Sequence, residues 1–317
     1  MVPSVSVIIA TRNRPHLVGR LLEAIRAQDW ADYEVIVADD GSTAENREAY
    51  QRLFQGFDER FRFLTPTPAG ATPSWPAAGR NRAIHLAQGE FLAFCDDDDT
   101  WLRPDHLRVA VTALRASQGD VFFANMCTVS GGVVQNADWY AQARPALQHA
   151  LLPGFTDVFL SPLPAVARLL QSRHIHMDTL VCRKSTAVAA GLFVESLLVA
   201  EDAHFGLTLC DRASAIVFRS TVVGELDVSP HESANRSIDA EGRLLFGMMC
   251  FRHASGQVRD SGLRLAARRG LSWRLMELGQ LRLAAGRSGQ AFHLAIQSLV
   301  TRPSLAALVL AGKAIFS

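Results

Sequence analysis

Residues 91–99 read FLAFCDDDD, an apolar run that leads without a break into four aspartates. The apolar run has the length and boundaries of a buried strand. Four adjacent carboxylates at one strand end repel each other unless a cation or a bound ligand offsets them. Hard divalent ions such as Mg²⁺ or Mn²⁺ prefer oxygen ligands of this kind, and commonly hold the phosphates of a second molecule. A solvated acidic turn before the helix that opens near Pro104 is the competing reading, and the flanking sequence has to decide between them.

The flanks repeat one pattern. Val5, Val7, Ile8 and Ile9 form a β-branched run that reads as a buried parallel strand. Thr11–Arg14 turns the chain. Pro15 suits a first helical turn, and Leu17, Leu21, Leu22 and Ile25 follow at helical spacing. A second strand, Glu34–Ala38, ends in Asp39-Asp40-Gly41-Ser42, with a helix over Ala44–Phe54 behind it. Phe61–Leu64 reads as a third strand. The proline-rich stretch Thr65–Pro76 reads as a loop, and Ala77–Gln88 as a helix closed by Gly89. Further strands are expected at Val121–Asn125, Thr179–Cys182, Ala215–Phe218 and Thr221–Val223, with a helix opening at Glu201-Asp202. Strand–helix alternation of this kind implies an open, mostly parallel α/β sheet flanked by helices. Ligands bind such sheets at the carboxyl ends of the strands. Asn13, Asp39, Asp40 and Asp96–Asp99 all fall there, so they converge on one rim and raise the aspartates above a simple acidic turn.

Other readings are excluded or weakened. Neither GxGxxG nor GxxxxGK[ST] follows the first strand, which disfavours the usual dinucleotide site and a P-loop. The formal net charge of +1 gives no global field for nucleic acid. Five cysteines without a CxxC pair fit neither a disulfide framework nor a structural zinc site, and suit a reducing compartment. No basic region precedes Val5–Ala10, and no apolar run approaches the ~18 residues of a membrane span. The expectation is a cytoplasmic protein. From about Ser237 the pattern is helical only, so a catalytic domain over 1–236 and a helical C-terminal extension over 237–317 are expected. Between Arg252 and Arg302 there are nine arginines and two acids. These basic helices read as the solvated faces of a small bundle, or as a peripheral contact with anionic lipid at the inner face of the membrane.

Three segments, SVIIATRNRPHLVGRLLEAIRAQ, YEVIVADDGS and GRNRAIHLAQGEFLAFCDDDDTWLRPDHL, stand in order over Ser4–Leu107. Together they resemble the nucleotide-sugar glycosyltransferases of family 2, which have the GT-A fold. The later AEDAHFGLTLC resembles that family's second acidic motif. The resemblance spans roughly Val5 to His231. It implies a metal-dependent, inverting transfer of a sugar from a nucleotide-sugar donor to a hydroxyl of a glycan or lipid-linked saccharide, with Mn²⁺ or Mg²⁺ as cofactor. It also implies roles for residues. Thr11, Asn13 and Asp39 stand where the family reads the nucleotide, and Arg80 where it holds the base or diphosphate. Asp96 and Asp98 are in the D-x-D relation, with Asp98 the direct metal ligand and Asp97 near ribose. Asp202 corresponds to the general base, next to Glu201. His231 lies where relatives carry a histidine near metal or diphosphate, although Pro230 departs from the usual form. Asp99 is left to cap the turn before Trp101. His174, His176 and Asp178 resemble a metal cluster by type, but a polar segment beside a strand or an acceptor contact is preferred. Trp139 and Tyr140 either stack on an acceptor sugar or pack a loop. Two other classes stay open: a nucleotide-sugar-binding module without catalysis, and a metal-dependent nucleotidyltransferase, which would want a glycine-rich first loop where Thr11–Pro15 has no glycine.

Overall fold

The computed structural model describes residues 3–65, 68–72, 74–229 and 238–316. Strands β1 (Val5–Thr11), β2 (Tyr33–Asp39), β3 (Phe61–Leu64) and β4 (Phe91–Phe94) alternate with helices α1 (Pro15–Arg26), α2 (Ala44–Phe54) and α3 (Trp75–Leu86). They pair in parallel in the order β3-β2-β1-β4. The reason is legible in β1, where Val7 and Ile9 pack into one core and Ile8 into another. Both faces of the strand are covered, so the run is apolar throughout. On one side α1 buries Val18, Leu21, Leu22 and Ile25. On the other, α3 contributes Ala77, Ala83 and Ile84.

After β4 come β5 (Thr100–Trp101), α4 (His106–Ser117), β6 (Val121–Ser130), β7 (Val133–Asn136), α5 (Arg144–Leu147), β8 (Ala150–Leu151), β9 (Val158–Ser161) and α6 (Leu163–Leu169). Next are a single 3₁₀ turn at Met177–Thr179, β10 (Val181–Arg183), α7 (Lys184–Ala189), α8 (Glu201–Arg212) and β11 (Ile216–Asp227). The sheet continues β4-β10-β6-β11-β9-β8, with β5 added to β11 and β7 to β6. Strand β10 runs antiparallel to both β4 and β6, while β6 and β11 are parallel.

Several boundaries differ from the sequence expectation. The strand expected at Val121–Asn125 runs on to Ser130, because β11 and β7 pair with its second half. The two strands expected at Ala215–Phe218 and Thr221–Val223 are one, β11, with irregular register between Arg219 and Gly224. Pro76 lies in the first turn of α3 rather than in a loop, where a missing N–H costs nothing. Gly89 is not a left-handed helix stop. A Cβ there would lie 2.5 Å from Ser6 N, so glycine is required by the close approach of β1.

Helices α9 (Ala240–Gln257), α10 (Ser261–Ala284), α11 (Ser288–Thr301) and α12 (Leu305–Ile315) complete the chain. Asp239, Asp260 and Ser304 cap three of them, accepting from Gly242, Leu263 and Ala307 N–H respectively. Ala254, Val258, Leu263, Ala266 and Ala267 join the same core as Ile8 and Phe94. The first half of the helical extension is therefore built onto the sheet. The expected boundary at 236/237 falls outside the described residues, and so does His231. No described helix is long and apolar enough to cross a membrane.

Candidate active site

Thr11 pairs in register with Asp39, and Ile8 with Phe94, so the segment after β4 leaves the sheet beside the ends of β1 and β2. A tight turn spreads the four aspartates, with Asp99 N–H donating to Asp96 O at 3.2 Å. Thr100–Trp101 then pairs with Glu225 and Gly224 of β11. Two further bonds fix the turn from the 3₁₀ segment before β10. Asp96 N–H donates to Asp178 Oδ1 at 3.0 Å, and Trp101 Nε1–H to Asp178 O at 2.6 Å.

Each aspartate then has its own environment. Asp96 Oδ1 accepts from Arg80 Nη2 at 2.5 Å. Asp97 is buried, accepting from Thr11 Oγ1 at 2.6 Å and from Arg14 Nη1 at 2.7 Å. Asp98 Oδ2 lies 3.0 Å from the same Arg14 nitrogen. Asp99 does not cap the turn before Trp101, as expected from sequence. It is buried and accepts from Asp227 N–H at 2.8 Å, tying the turn to β11. Burial, then the charges of Asp98 and Asp96, push the Asp97 carboxyl up to about 6 against the pull of Arg14 and Thr11. Burial, Asp178 and Asp98 push Asp99 well above the usual carboxylate range.

The second acidic pair stands at the N-terminus of α8. Ala200, the residue before it, is held in the left-handed region at φ 63°. That is a strained conformation for a residue with a Cβ. Its carbonyl accepts from His204 N–H at 3.1 Å and from Cys250 Sγ–H at 3.1 Å, which anchors the strained position to α9. Arg80 joins the two acidic motifs, because its Nη1 donates to Glu201 Oε1 at 2.8 Å while Nη2 holds Asp96. The Arg80 side chain is buried with its guanidinium against the Phe193 ring, so it organises carboxylates from within. Burial raises the Glu201 carboxyl to about 7, with Asp202 adding to the rise and Arg80 opposing it. Asp202 moves the other way. Burial opposes its ionisation, but His174, His176, the Ala203 N–H and Arg80 outweigh it and hold the carboxyl below its ordinary value. His174 Nε2 lies 3.5 Å from Asp202 Oδ2.

One cavity of about 800 Å³ contains both motifs. Asp96–Asp99, Arg14 and Arg80 line it, as do His174, His176, Glu201 and Asp202, together with Arg173, Arg269, Trp273 and Arg274. The last three belong to α10, so the helical extension forms one wall of the site.

The other expected residues have structural partners. Asp39 is fully buried, accepting from Ser42 N–H at 3.0 Å and from Arg47 Nε at 2.8 Å. Asn13 has φ 58° and accepts from Thr43 N–H at 2.9 Å, bracing the start of α2. Asp40 caps α3, accepting from Ser74 and Trp75 N–H at 2.9 and 2.7 Å. Tyr140 is buried in the core and its hydroxyl accepts from His176 N–H at 3.2 Å, so it packs rather than stacking on a ligand. Trp139 carries the Arg173 guanidinium 4.5 Å from its ring centre.

Sequence reasoning passed over Arg14, although it lies within the TRNRP stretch, and left His176 and Asp178 as a polar segment. His176 Nδ1 lies 2.8 Å from Asp178 Oδ2. Burial opposes charge on this imidazole, but Asp178 outweighs burial and raises it to about 9. Among the described residues, Asp99, His176 and Asp178 place three metal-capable atoms within 4.8 Å of one another. The H-x-D spacing was the available signal, and only the fold shows that it lands behind the aspartate turn. The donor chemistry fits a hard divalent ion. Seven carboxylates, Asp96–Asp99, Asp178, Glu201 and Asp202, gather around Arg14, Arg80 and His176, and oxygen donors of this kind are what a hard cation takes.

A sheet of this order, with an acidic turn at the strand ends joined through Arg80 to a second acidic pair on a helix N-terminus, has the architecture of the GT-A fold. Residues 6–158 match the family model described as glycosyl transferase family 2. The match covers just under half of the chain and marks a family 2 glycosyl transferase domain within it. It is 35% identical over 100 residues to the GalNAc(5)-diNAcBac-PP-undecaprenol beta-1,3-glucosyltransferase of Campylobacter jejuni, a match that covers 32% of this chain and 31% of that protein. The matched segment thus spans about a third of that curated relative. The structure of S. aureus TarS 1-349 in complex with UDP-GlcNAc superposes with a TM-score of 0.69 at 18% identity, covering 99% of this chain and 88% of that one. The mannosyltransferase PcManGT of Pyrobaculum calidifontis, in complex with GDP-Man and Mn²⁺, gives 0.62 at 18% identity, covering 100% and 81%. These two likenesses concern the fold.

Proposed function

We propose that this protein transfers a sugar from a nucleotide-sugar donor to a hydroxyl of a glycan or lipid-linked saccharide, with inversion at the anomeric carbon. The observation that carries this reading is the Arg80 bridge. It holds the aspartate turn and the α8 acidic pair in one cavity, at 2.5 Å from Asp96 and 2.8 Å from Glu201. Two roles are thereby separated. The turn faces the donor's diphosphate, and Asp202 faces the acceptor.

Asp202 suits the base because its carboxyl is held ionised and its side chain is 27% exposed, while that of Glu201 is 12% exposed and locked on Arg80. Asp202 takes the proton of the acceptor hydroxyl as that oxygen bonds to the anomeric carbon. The bond from that carbon to the diphosphate breaks on the opposite side, and the nucleoside diphosphate leaves with the electron pair. General-base help of this kind is worth ~10²–10⁴-fold. Asp98 with Asp96 would hold a Mn²⁺ or Mg²⁺ ion, which when bound offsets the charge developing on the leaving diphosphate. Thr11 and Arg14 act through Asp97 by fixing its carboxylate. Asp39 and Asn13 are placed to shape the nucleotide end of the rim.

The α10 wall supports an acceptor class. Arg173, Arg269, Arg274 and Trp273 add cations and an exposed indole to the lining of the same cavity. That combination suits a saccharide carried on a phosphate or diphosphate. The names of two relatives fit this reading, one a transferase to a diphosphoundecaprenol-linked saccharide and one to poly(ribitol-phosphate).

A melting-temperature screen of nucleotides and nucleotide sugars, each with and without Mn²⁺, tests the donor half. A ligand favoured by the folded state raises the midpoint. A metal-dependent rise with at least one nucleoside diphosphate sugar is expected. A flat response across the panel would overturn the reading.

A further inference from the structure

Helix α12 is apolar on both faces. Ala307, Leu310, Ala311 and Ala314 face inward and are buried. On the opposite face Leu305 is 77% exposed, Leu308 56%, Val309 49% and Phe316 91%. These positions recur at i, i+3, i+4 and i+11, which is one side of a helix. On α11, Phe292, Ile296 and Val300 form a second exposed apolar row at i, i+4 and i+8. A helix that is apolar all round normally lies in a core or against lipid. Scattered exposed apolar side chains need no explanation, but a contiguous set marks a contact surface.

The charges around this face name its partner. From Leu278 to the last residue the sequence contains Arg282, Arg287, Arg302 and Lys313, and no aspartate or glutamate. Arg282 pairs with Glu241 of α9. Arg287 and Lys313 are exposed and Arg302 is half-buried, and none of the three joins an ion pair among the described residues. Apolar side chains on a segment that carries cations and no acid match the surface of an anionic bilayer, where the apolar groups enter the acyl boundary and the cations meet phosphate headgroups. A second copy of the chain would instead bring like charges together around the contact.

We infer that the exposed face of the α11–α12 hairpin docks on an anionic phospholipid surface. The contact resides in the apolar hairpin. The arginine-rich α9 and α10 are placed differently, with Arg274 paired to Glu277 and Arg264 bonded to the Val258 and Arg259 carbonyls. The inference stands apart from the proposed chemistry, since it uses no residue of the acidic site.

Flotation of the full chain with phosphatidylcholine vesicles, with and without phosphatidylglycerol, is the test. Binding to phosphatidylglycerol vesicles that weakens as salt rises is expected. The double variant Leu308→Asn/Val309→Asn should lower vesicle binding about tenfold or more, and Arg302→Gln/Lys313→Gln should reduce its dependence on phosphatidylglycerol. Leu308, Val309 and Lys313 are exposed and Arg302 is half-buried, and an unchanged melting temperature establishes that the variants are folded. No flotation with phosphatidylglycerol vesicles at low salt overturns the inference. So does binding unaffected by the Asn pair. It is equally overturned if sedimentation shows a dimer that the Asn pair dissociates, because the face would then be a contact between copies.

Discussion

At the residue scale the site depends on carboxylates of one chemical type being made unlike by their surroundings. Asp202 is held ionised, while Glu201 beside it is raised to about 7. Replacing Asp202 with Asn should therefore leave the nucleotide-sugar melting shift in place and lower transfer by ~10² or more. Retained transfer within about tenfold would remove Asp202 from the base role. Arg80 invites a different measurement. Its buried guanidinium sits between the buried Glu201 carboxylate and the partly exposed Asp96 carboxylate, and removing one partner of a buried ion pair leaves the others uncompensated. Arg80→Gln should cost ~3–5 kcal/mol of stability in denaturant unfolding. A loss below about 1 kcal/mol, the range of exposed pairs, would mean that the bridge contributes little. The D-x-D pair and Glu201-Asp202 could both be picked out of the sequence. Their connection through Arg80 could not, because Arg80 and Glu201 lie 121 positions apart in the chain and meet only in the folded molecule.

At the scale of elements, the close packing of α3, β4 and β1 holds the aspartate turn in place. Gly89 stands at the entrance to β4, and a Cβ there would meet Ser6 N at 2.5 Å and Val5 C at 2.7 Å. Those atoms are backbone and cannot rotate away. Gly89→Ala should destabilise by ~1–3 kcal/mol, read as a lower denaturant midpoint. An unchanged midpoint would show that β1 and β4 can separate without penalty. The same sequence position was readable as glycine-requiring, but for the wrong reason. A helix stop and a close strand approach both call for glycine, and only the packed strands tell them apart. Similarly, β11 reads as two strands because its register shifts interrupt the alternation between Arg219 and Gly224.

At the scale of the molecule, proton binding shifts the stability of the folded state. His106 is fully buried between Trp101 and Phe122, and burial lowers it to about 3. The unfolded chain binds that proton near 6.5, so the native state loses stability as pH falls from about 6.5 towards 3. The raised carboxyls of Asp97 and Glu201 act in the opposite direction, because the folded state takes up their protons first. Comparing wild type with His106→Phe isolates the histidine. The wild type's stability relative to the variant should fall by ~1.4 kcal/mol per pH unit between about 6 and 4. Parallel pH profiles would show that His106 is not buried neutral. The proposed metal binding should also depend on protons. The melting-temperature rise on adding Mn²⁺ should be larger at pH 7.5 than at pH 6, since protons compete with the ion for the aspartate carboxylates. A metal effect independent of pH would place the ion away from these aspartates.

The sequence alone determined the α/β alternation, the position of the acidic turn and the resemblance over Ser4–Leu107. Periodicity and strand-end composition are local properties, and they survive without knowledge of what packs where. Only the tertiary structure decided how the acids divide their roles, since that depends on burial and on partners far away in the chain. It brought His176 and Asp178 behind the aspartate turn, and Arg80 between the two motifs. It also made α10 a wall of the cavity and left an apolar hairpin face outside it. FLAFCDDDD says where charge gathers. The fold says which of those carboxyls are pushed towards the protonated form and which face an open cavity.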